Sequence, residues 1–309
     1  LDHAVADPAA LTRLVIRLPF EREEAGRLLV EDHRQRIFVD SSGSVFLEVR
    51  RPSAIDPAAA TILPVREPEL LEFLEPSLFI QSNADQIQQL ARDLRGSERN
   101  ALAVARRLHQ WVYDHMIPVE TNVRFRSTLE VLDDMEGTCS EYTVLYTALC
   151  RAAGVPARVS TGFAVSRTGE LRLHMWSQVY VGQWLDADPS WDAFPVGAAH
   201  IKTGEGVLTA AGMAALNLPL RLFLARADTL ELVAYQTESG PPYLGEAERL
   251  FADARRADGA FETESAMALF HQLVLLPWNH RSGEAHIEMG RHYLQRKRLD
   301  DAEWALRRI

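Results

Sequence analysis

Cys139 lies where a cysteine can act as a nucleophile. The segment Gly137-Thr138-Cys139-Ser140-Glu141 contains the pattern Thr138-x-x-Glu141, a capping box that predicts a helix beginning at the cysteine. A cysteine attacks an acyl carbon as the thiolate, and the first turn of a helix favours an anion through its unpaired N–H groups and its macrodipole. The same N–H groups can hold a developing oxyanion. We therefore expect Cys139 to be an activated thiol.

A base for this thiol is expected at His174, on a predicted strand that is followed by a second predicted strand ending at Asp188-Pro189. If a three-residue loop with Gly182 in the left-handed conformation joins the strands, we expect paired residue numbers to sum to 362, so that His174 faces Asp188. Directly opposed Cβ atoms lie about 5 Å apart, which allows a carboxylate to bond an imidazole N–H. A two-residue turn would instead move Asp188 to the other side of the sheet.

Several motifs, taken in order, resemble the core of the bacterial transglutaminase-like superfamily. They are Gly137-Thr138-Cys139-Ser140-Glu141-Tyr142, Leu149-x-Arg151-Ala152-x-Gly154-Val155-Pro156-Ala157-Arg158, Gly162-Phe163, His174-x-Trp176 and Trp184-x-x-x-Asp188-Pro189-Ser190. The resemblance implies a papain-like Cys-His-Asp triad, with Cys139 as nucleophile, His174 as base and Asp188 as the orienting carboxylate. It implies no metal and no organic cofactor.

Two features depart from the pattern of that family. Gln178 stands where relatives often have Glu. The second oxyanion donor, usually a side chain upstream of the cysteine, has no clear match. Trp111 and Tyr113 are the candidates, and packing in the helix before the site is the alternative for both. His109 and His115, on the same predicted helix, are expected to be surface or structural residues.

Three further residues are expected near the triad. Trp176 shares a strand face with His174 and is expected to line the site. Asp186 is two residues from Asp188 and on the same face, which makes it the alternative orienting carboxylate. His200 is expected to be structural or to line the site.

Composition and charge limit the class of protein. The 309 residues have a formal net charge of −10, which disfavours nucleic acid as a partner. No run of about 18 apolar residues predicts a transmembrane segment. The chain begins at Leu1 without an initiator Met or an apolar leader, and we expect an extracytoplasmic, periplasmic location if a leader was removed. Two cysteines exclude a disulfide framework, and Cys150 is expected to be a buried, inert residue.

The distribution of strand and helix patterns predicts three domains. Strand signals and a hairpin turn at Asp40-Ser41-Ser42-Gly43 predict an N-terminal β-rich domain over residues 1–75. Residues 76–245 are predicted to form an α+β, papain/transglutaminase-like catalytic domain, in which the helix bearing the cysteine packs on a small antiparallel sheet. Its first helix is expected to be capped by Ser82 and to end at Gly96. Predicted strands follow at 158–165, 171–181 and 184–188.

Residues 246–309 are predicted to be helical. The spacing of several residues resembles a tetratricopeptide repeat, with one helix ending near Arg296 and another starting near Asp300. A plain helical hairpin is the alternative. Because the sequence stops inside the second helix of the repeat, the native protein is expected to be longer. The residues that carry the repeat-like spacing are Met289, Gly290, Tyr293, Ala302 and Leu306.

The expected function is that of a cysteine peptidase, an amidase or an acyltransferase that forms a thioester with a protein or peptide substrate. Hydrolysis follows if water resolves the thioester, and cross-linking follows if an amine does. Hydrolysis is favoured, because many bacterial proteins that the sequence resembles are described as peptidases. The alternative is a catalytically weak or inactive papain-like fold that binds a protein partner through its C-terminal helices.

Overall fold

The structure is a computed structural model that describes Val5 and residues 8–119, 124–166, 170–208, 219, 221–223, 225, 230–238, 243–244, 253–257, 265–270, 289 and 291. Its named α-helices are α1 (Arg22–Leu28), α2 (Pro68–Leu71), α3 (Asp85–Arg95), α4 (Ala101–His115), α5 (Thr128–Asp134) and α6 (Cys139–Ala152). Its strands are β1 (Leu11–Leu18), β2 (Gln35–Val39), β3 (Val45–Arg50), β4 (Ile117–Pro118), β5 (Glu136–Gly137), β6 (Ala157–Val165), β7 (Leu171–Tyr180), β8 (Trp184–Ala187), β9 (His200–Gly206), β10 (Glu231–Thr237) and β11 (Tyr243–Leu244).

The cysteine-bearing helix α6 packs on an antiparallel sheet with the strand order β8-β7-β6-β9. Helices α3 and α4 pack against α6 in turn. The apolar residues of these elements recur at helical spacing, so each helix buries one face in a shared core. This mixed arrangement of helices and antiparallel strands confirms the predicted α+β fold class. The core residues of the three helices include Ile87, Ala91, Val104, Leu108, Val144, Leu145 and Leu149.

A second antiparallel sheet has the strand order β11-β10-β1-β3-β2. The predicted hairpin is confirmed, because β2 and β3 pair antiparallel across a turn in which Gly43 has a φ of 84°. Strand β10, from residues 231–237, pairs with β1. The predicted β-rich unit 1–75 therefore supplies three of the strands in this sheet, and residues after the cysteine helix supply the others. The division of the chain at residues 75 and 245 stays a prediction.

The start of α3 differs from the sequence expectation. Helix α3 begins after Ala84, and the Ser82 carbonyl accepts a hydrogen bond from the Gln88 side chain, so Ser82 does not cap this helix. The predicted end at Gly96 is confirmed, with a φ of 57° that favours glycine. Helix α4 begins after Asn100, whose side chain accepts a hydrogen bond from the Ala103 N–H.

Most of the predicted repeat lies outside the described residues. Residues 253–257 and 265–270 are helical, and Met289 is a buried helical residue. Gly290, Tyr293, Ala302 and Leu306 are outside the described part of the chain, and so is the helix expected from Asp300. None of the helices that the structure describes combines the length and the apolar character of a membrane span.

Candidate active site

Cys139 is the first residue of α6, and the predicted capping box holds that helix start in place. The Thr138 N–H donates to Glu141 Oε2 over 3.0 Å, and the Ser140 hydroxyl donates to the same oxygen over 3.1 Å. A Cβ on Gly137 would lie 2.2 Å from Glu141 Cβ, so only glycine allows the buried Glu141 side chain to fold back. The local sequence therefore fixes the backbone on both sides of the cysteine.

The two cysteines occupy different environments. Cys139 is half-buried, whereas Cys150 is fully buried near the end of the same helix. Burial raises the pKa of the Cys150 thiol, and a hydrogen bond with Tyr146 offsets only part of this effect. Cys150 therefore stays protonated at neutral pH, as expected for a structural cysteine.

Hydroxyl groups join α6 to strand β7. The Thr143 hydroxyl lies 2.7 Å from the Cys139 carbonyl oxygen and 3.0 Å from that of Met175. One turn further on, Thr147 and Ser177 hydroxyls are 2.8 Å apart. These bonds hold the start of α6 beside the middle of β7.

His174 lies on β7, only 8% exposed, and hydrogen-bonds through Nε2 to Asp188 Oδ2 over 2.6 Å. Burial by itself lowers the pKa of His174. The charge of Asp188, together with hydrogen bonds to Asp188 and Cys139, outweighs burial and raises that pKa to about 10. His174 is therefore an imidazolium at neutral pH. Because Asp188 takes Nε2, Nδ1 is left for the cysteine sulfur.

The predicted register of the β7–β8 hairpin is wrong by two residues. Tyr180 pairs with Trp184, so paired residue numbers sum to 364 and not to 362. The three-residue loop is present, and Gly182 has the expected positive φ of 112°. His174 and Asp188 are thus diagonal across the strands and not directly opposed. A shift of two residues keeps both side chains on the same face, and diagonal pairs remain within reach of long side chains, so their contact is retained.

Both oxygens of Asp188 are engaged by hydrogen-bond donors. Oδ1 accepts from the Ser190 N–H over 2.9 Å and from the Ser190 hydroxyl over 2.6 Å. Oδ2 lies 2.6 Å from His174 Nε2 and 3.0 Å from His200 Nε2. Burial opposes ionisation of Asp188, but the charge of His174 and these hydrogen bonds outweigh it, so the pKa of Asp188 is lowered. Asp188 is an anion with a fixed orientation.

Two tryptophans flank the His174 imidazole. Trp191 lies with its ring centroid 4.9 Å from that of His174 and is 40% exposed. Trp176 is fully buried, with its ring centroid 6.1 Å from His174. Trp191 therefore separates His174 from solvent, and Trp176 packs on the buried side of the imidazole. A site-lining role for Trp176 stays a prediction.

Asp186 does not hold His174, although it was the alternative orienting carboxylate. Its Oδ1 accepts the Trp176 indole N–H over 2.6 Å, and its Oδ2 accepts from Arg34 over 3.1 Å. Lys202 Nζ lies 3.5 Å away. Burial opposes the charge on Asp186, but Lys202 and Arg34 outweigh burial and lower its pKa. Asp186 therefore fixes the Trp176 ring that packs behind His174.

Lys202, one of the two cations beside Asp186, is held both by a neighbour on its own strand and by residues that are distant in sequence. Lys202 is fully buried and bonds Asp32 over 2.7 Å and Glu205 over 3.0 Å. The Gln35 side chain exchanges hydrogen bonds of 2.8 and 2.9 Å with the Lys202 backbone. The start of β2 thus reaches the sheet that carries His174, and Arg34 extends from it to Asp186.

The two candidates for a second oxyanion donor lie on the last turns of α4. Trp111 stacks on His115 with a centroid distance of 4.6 Å. Tyr113 is 42% exposed. Trp111 also packs against the hydrophobic core that α4 shares with α6, so packing accounts for its position. An oxyanion role for either residue stays a prediction.

His109 packs beneath the turn that follows Asp188. Its ring lies 5.3 Å from that of Phe194, and its Nδ1 lies 3.9 Å from Asp192 Oδ1. Burial lowers the pKa of His109, in spite of hydrogen bonds with the backbone of Asp188 and Ala193. His109 is a neutral, buried residue that supports this turn.

The described part of the chain contains one group of three side chains that could hold a metal ion, namely those of His174, Asp188 and His200. Their ligand atoms lie within 4.8 Å of one another. Both imidazole Nε2 atoms already bond Asp188 Oδ2, so a divalent ion there would have to displace both hydrogen bonds. A hydrogen-bonded set accounts for the geometry without a metal.

Sequence reasoning missed the roles of Arg34 and Lys202. It also did not predict that His200 contacts Asp188. Arg34 is 152 positions from the aspartate that it contacts, and no local motif reports such a distance. His200 is twelve positions from Asp188. The signal that could have revealed this contact is the position of His200 at the start of the strand after the Asp188 turn.

Residues 88–189 match the family described as the Transglutaminase-like superfamily. The matched segment contains Cys139, His174 and Asp188, and it covers α6 and the strands from β6 to β8. This third of the chain is therefore similar to the transglutaminase core.

An uncharacterized protein from Mycobacterium leprae, ML0607, is 29% identical over 143 residues, which are 44% of this chain and 50% of that protein. The chain thus spans about half the length of this curated relative. A candidate cysteine protease from Cytophaga hutchinsonii matches with a TM-score of 0.45 and 18% identity, covering 77% of this chain and 86% of that one. The periplasmic domain of TgpA from Pseudomonas aeruginosa matches with a TM-score of 0.34 and 17% identity over 62% of this chain and 94% of that one.

Proposed function

We propose that this protein is a transglutaminase-like cysteine enzyme that cleaves amide or peptide bonds through a thioester acyl-enzyme. One observation carries the proposal. A buried His174 bonds the anion Asp188 on one side and the partly exposed Cys139 on the other. A structural cysteine needs neither a helix start nor an imidazolium partner.

In the first half of the reaction, the Cys139 thiolate attacks the carbonyl carbon of the substrate amide. The oxyanion that forms lies near the first N–H groups of α6, which have no acceptor within the helix. The C–N bond then breaks, and the imidazolium of His174 gives its proton to the leaving amine. The product is a thioester on Cys139 and a neutral His174.

In the second half, neutral His174 takes a proton from an incoming nucleophile, which attacks the thioester carbon. Cys139 leaves as the thiolate, and His174 is again an imidazolium paired with Asp188. Water gives a carboxylic acid, and an amine gives a new amide. We propose hydrolysis as the main outcome, on the basis of the family resemblance.

Dimethylated casein tests this function, because it has no primary amino groups until a peptide bond is cut. We expect amino groups to appear with the wild-type protein and to be absent with Cys139→Ala and His174→Ala. Addition of a dansylated amine measures transfer, since incorporated dansyl reports cross-linking chemistry. Dansyl incorporation without new amino groups would show that transfer, and not hydrolysis, is the activity.

A parallel alkylation experiment tests the alternative of an inactive binding module. Iodoacetamide at neutral pH is expected to modify Cys139 much faster than Cys150, and residue-level mass spectrometry measures both rates. If native Cys139 reacts no faster than the same cysteine in the unfolded chain, the thiol is not activated and the binding module is the better account.

A further inference from the structure

We propose that His200 is a positioning residue of the triad, which rests on the function proposed above. Its Nε2–H donates to Asp188 Oδ2, the oxygen that also pairs with His174, and so fixes the direction in which the carboxylate presents its charge. His200 thereby acts through Asp188 and not on the substrate.

The hydrogen bonds around Asp188 show what His200 adds. Ser190 holds Oδ1 through two donors, which leaves the carboxylate free to swing about that oxygen. His200 Nε2, 3.0 Å from Oδ2, opposes this swing, and His174 then meets Oδ2 at 2.6 Å. The imidazoles of His174 and His200 both bond Asp188 Oδ2. Because His174 is the proposed base, His200 is the residue that fixes the position of this oxygen.

The surroundings of His200 favour a fixed, neutral ring. It is 2% exposed, and the rings of Trp176 and Trp191 meet it edge-on at centroid distances of 5.2 and 5.4 Å. Burial lowers the pKa of His200, the nearby charges of His174 and Arg34 lower it further, and the hydrogen bond and charge of Asp188 oppose this. The Arg34 guanidinium donates to the backbone carbonyl of His200 over 3.4 Å. A neutral imidazole is a donor that adds no second positive charge beside the His174 imidazolium.

The pH at which His174 loses its proton should therefore depend on His200. Without the second donor, Asp188 Oδ2 is less firmly held and stabilises the imidazolium less. His174 then loses its proton at a lower pH. A purely structural histidine would affect stability and leave this deprotonation unchanged.

His200→Phe tests the proposal, because phenylalanine keeps an aromatic ring and removes the donor. The ratio of Cys139 alkylation by iodoacetate to that by iodoacetamide reports the positive charge of His174, since only iodoacetate is attracted by an imidazolium. We expect the pH at which this ratio falls to move down by a few tenths of a unit to about one unit, because His200 acts on His174 only through the Asp188 carboxylate. His200→Gln retains an N–H donor and is expected to restore part of the change.

Tyr146→Phe is the matched control, because it also removes a donor from a buried aromatic side chain, here one that bonds the Ala105 carbonyl over 3.1 Å, and is expected to change stability alone. An unchanged midpoint in His200→Phe, with a normal wild-type profile, would overturn the positioning role only. A wild-type protein in which Cys139 shows no preference for iodoacetate at neutral pH would instead overturn the proposed function. If His200→Phe does not fold, the proposal is tested by the alkylation ratio of His200→Gln and by the low-field imidazole proton signals in the NMR spectrum of the wild-type protein. Two such signals are expected, and the absence of one from His200 would refute the hydrogen bond to Asp188.

Discussion

Asp188→Asn removes one negative charge from the site while keeping the size of the side chain. The change leaves a neutral amide 2.6 Å from His174 Nε2 in place of the carboxylate. Burial then becomes the main influence on His174, and burial lowers its pKa. We expect the imidazole of the variant to be neutral at pH 7.

The size of the effect follows from the pKa of His174, which the pair raises from 6.5 to about 10. A difference of this size between the folded and unfolded chains corresponds to at most about 5 kcal/mol of stability. Because the folded pKa lies above the unfolded value, this stability is fully present below pH 6.5 and is lost as the pH rises towards 10. The wild-type protein should therefore exceed Asp188→Asn in stability most strongly near pH 6 and least near pH 10.

Urea unfolding of both proteins at a series of pH values between 5.5 and 10 measures this difference. The rate of casein cleavage, which should fall on the order of 10²–10⁴-fold in the variant by analogy with serine triads, gives a second readout. A stability difference that is the same at every pH would refute the assigned ion pair between His174 and Asp188.

Two further substitutions test the surroundings of the triad. Arg34→Met leaves the fully buried Asp186 without one of its two cations, and the free energy of unfolding should fall by about 3–5 kcal/mol, as measured by urea denaturation. Gly137→Ala places a Cβ against Glu141 and should slow iodoacetamide modification of Cys139 by at least about tenfold, because the cap that positions the helix start is disrupted.

Each of these substitutions has a matched control. Arg27→Met breaks the exposed pair with Glu23 and should change stability by less than about 1 kcal/mol. Gly26→Ala, in α1, meets only the flexible end of the Arg22 side chain and should leave Cys139 reactivity unchanged. Equal stability losses for the two arginine variants would contradict the role of Arg34 at Asp186, and a fast Cys139 in Gly137→Ala would contradict the role of the cap.

The sequence was most informative where the determinants are local. The capping box at Thr138 and Glu141 predicted the start of α6 at Cys139, because both partners lie within one helical turn. The positive φ at Gly182 was also predicted, since a tight loop between two strands requires it. The register of that hairpin was not predicted correctly, because the register depends on how the loop residues bond to one another.

Contacts between distant segments were beyond sequence reasoning. Strand β10 pairs with β1 across more than 200 positions, and Arg34 reaches Asp186 across 152. Neither contact leaves a periodic pattern in the residues around it. The alternative assignment of Asp186 as the orienting carboxylate had the same weakness, because the partners of Asp186 were unknown. Arg34 and Trp176 bond this carboxylate and Lys202 faces it, so we expect Asp186→Asn to destabilise the protein.

The pairing of Cys139 with His174 is tested most directly by the iodoacetamide reaction of Cys139 in the wild-type protein and in His174→Ala at pH 6. Iodoacetamide is attacked by the thiolate, and His174→Ala removes the imidazole that hydrogen-bonds Cys139 and that can take its proton. Because a more stable thiolate is also a weaker nucleophile, the net advantage of the wild-type protein should be at least about tenfold. The account predicts fast modification of wild-type Cys139 and slow modification in His174→Ala. Equal rates in the two folded proteins would contradict it.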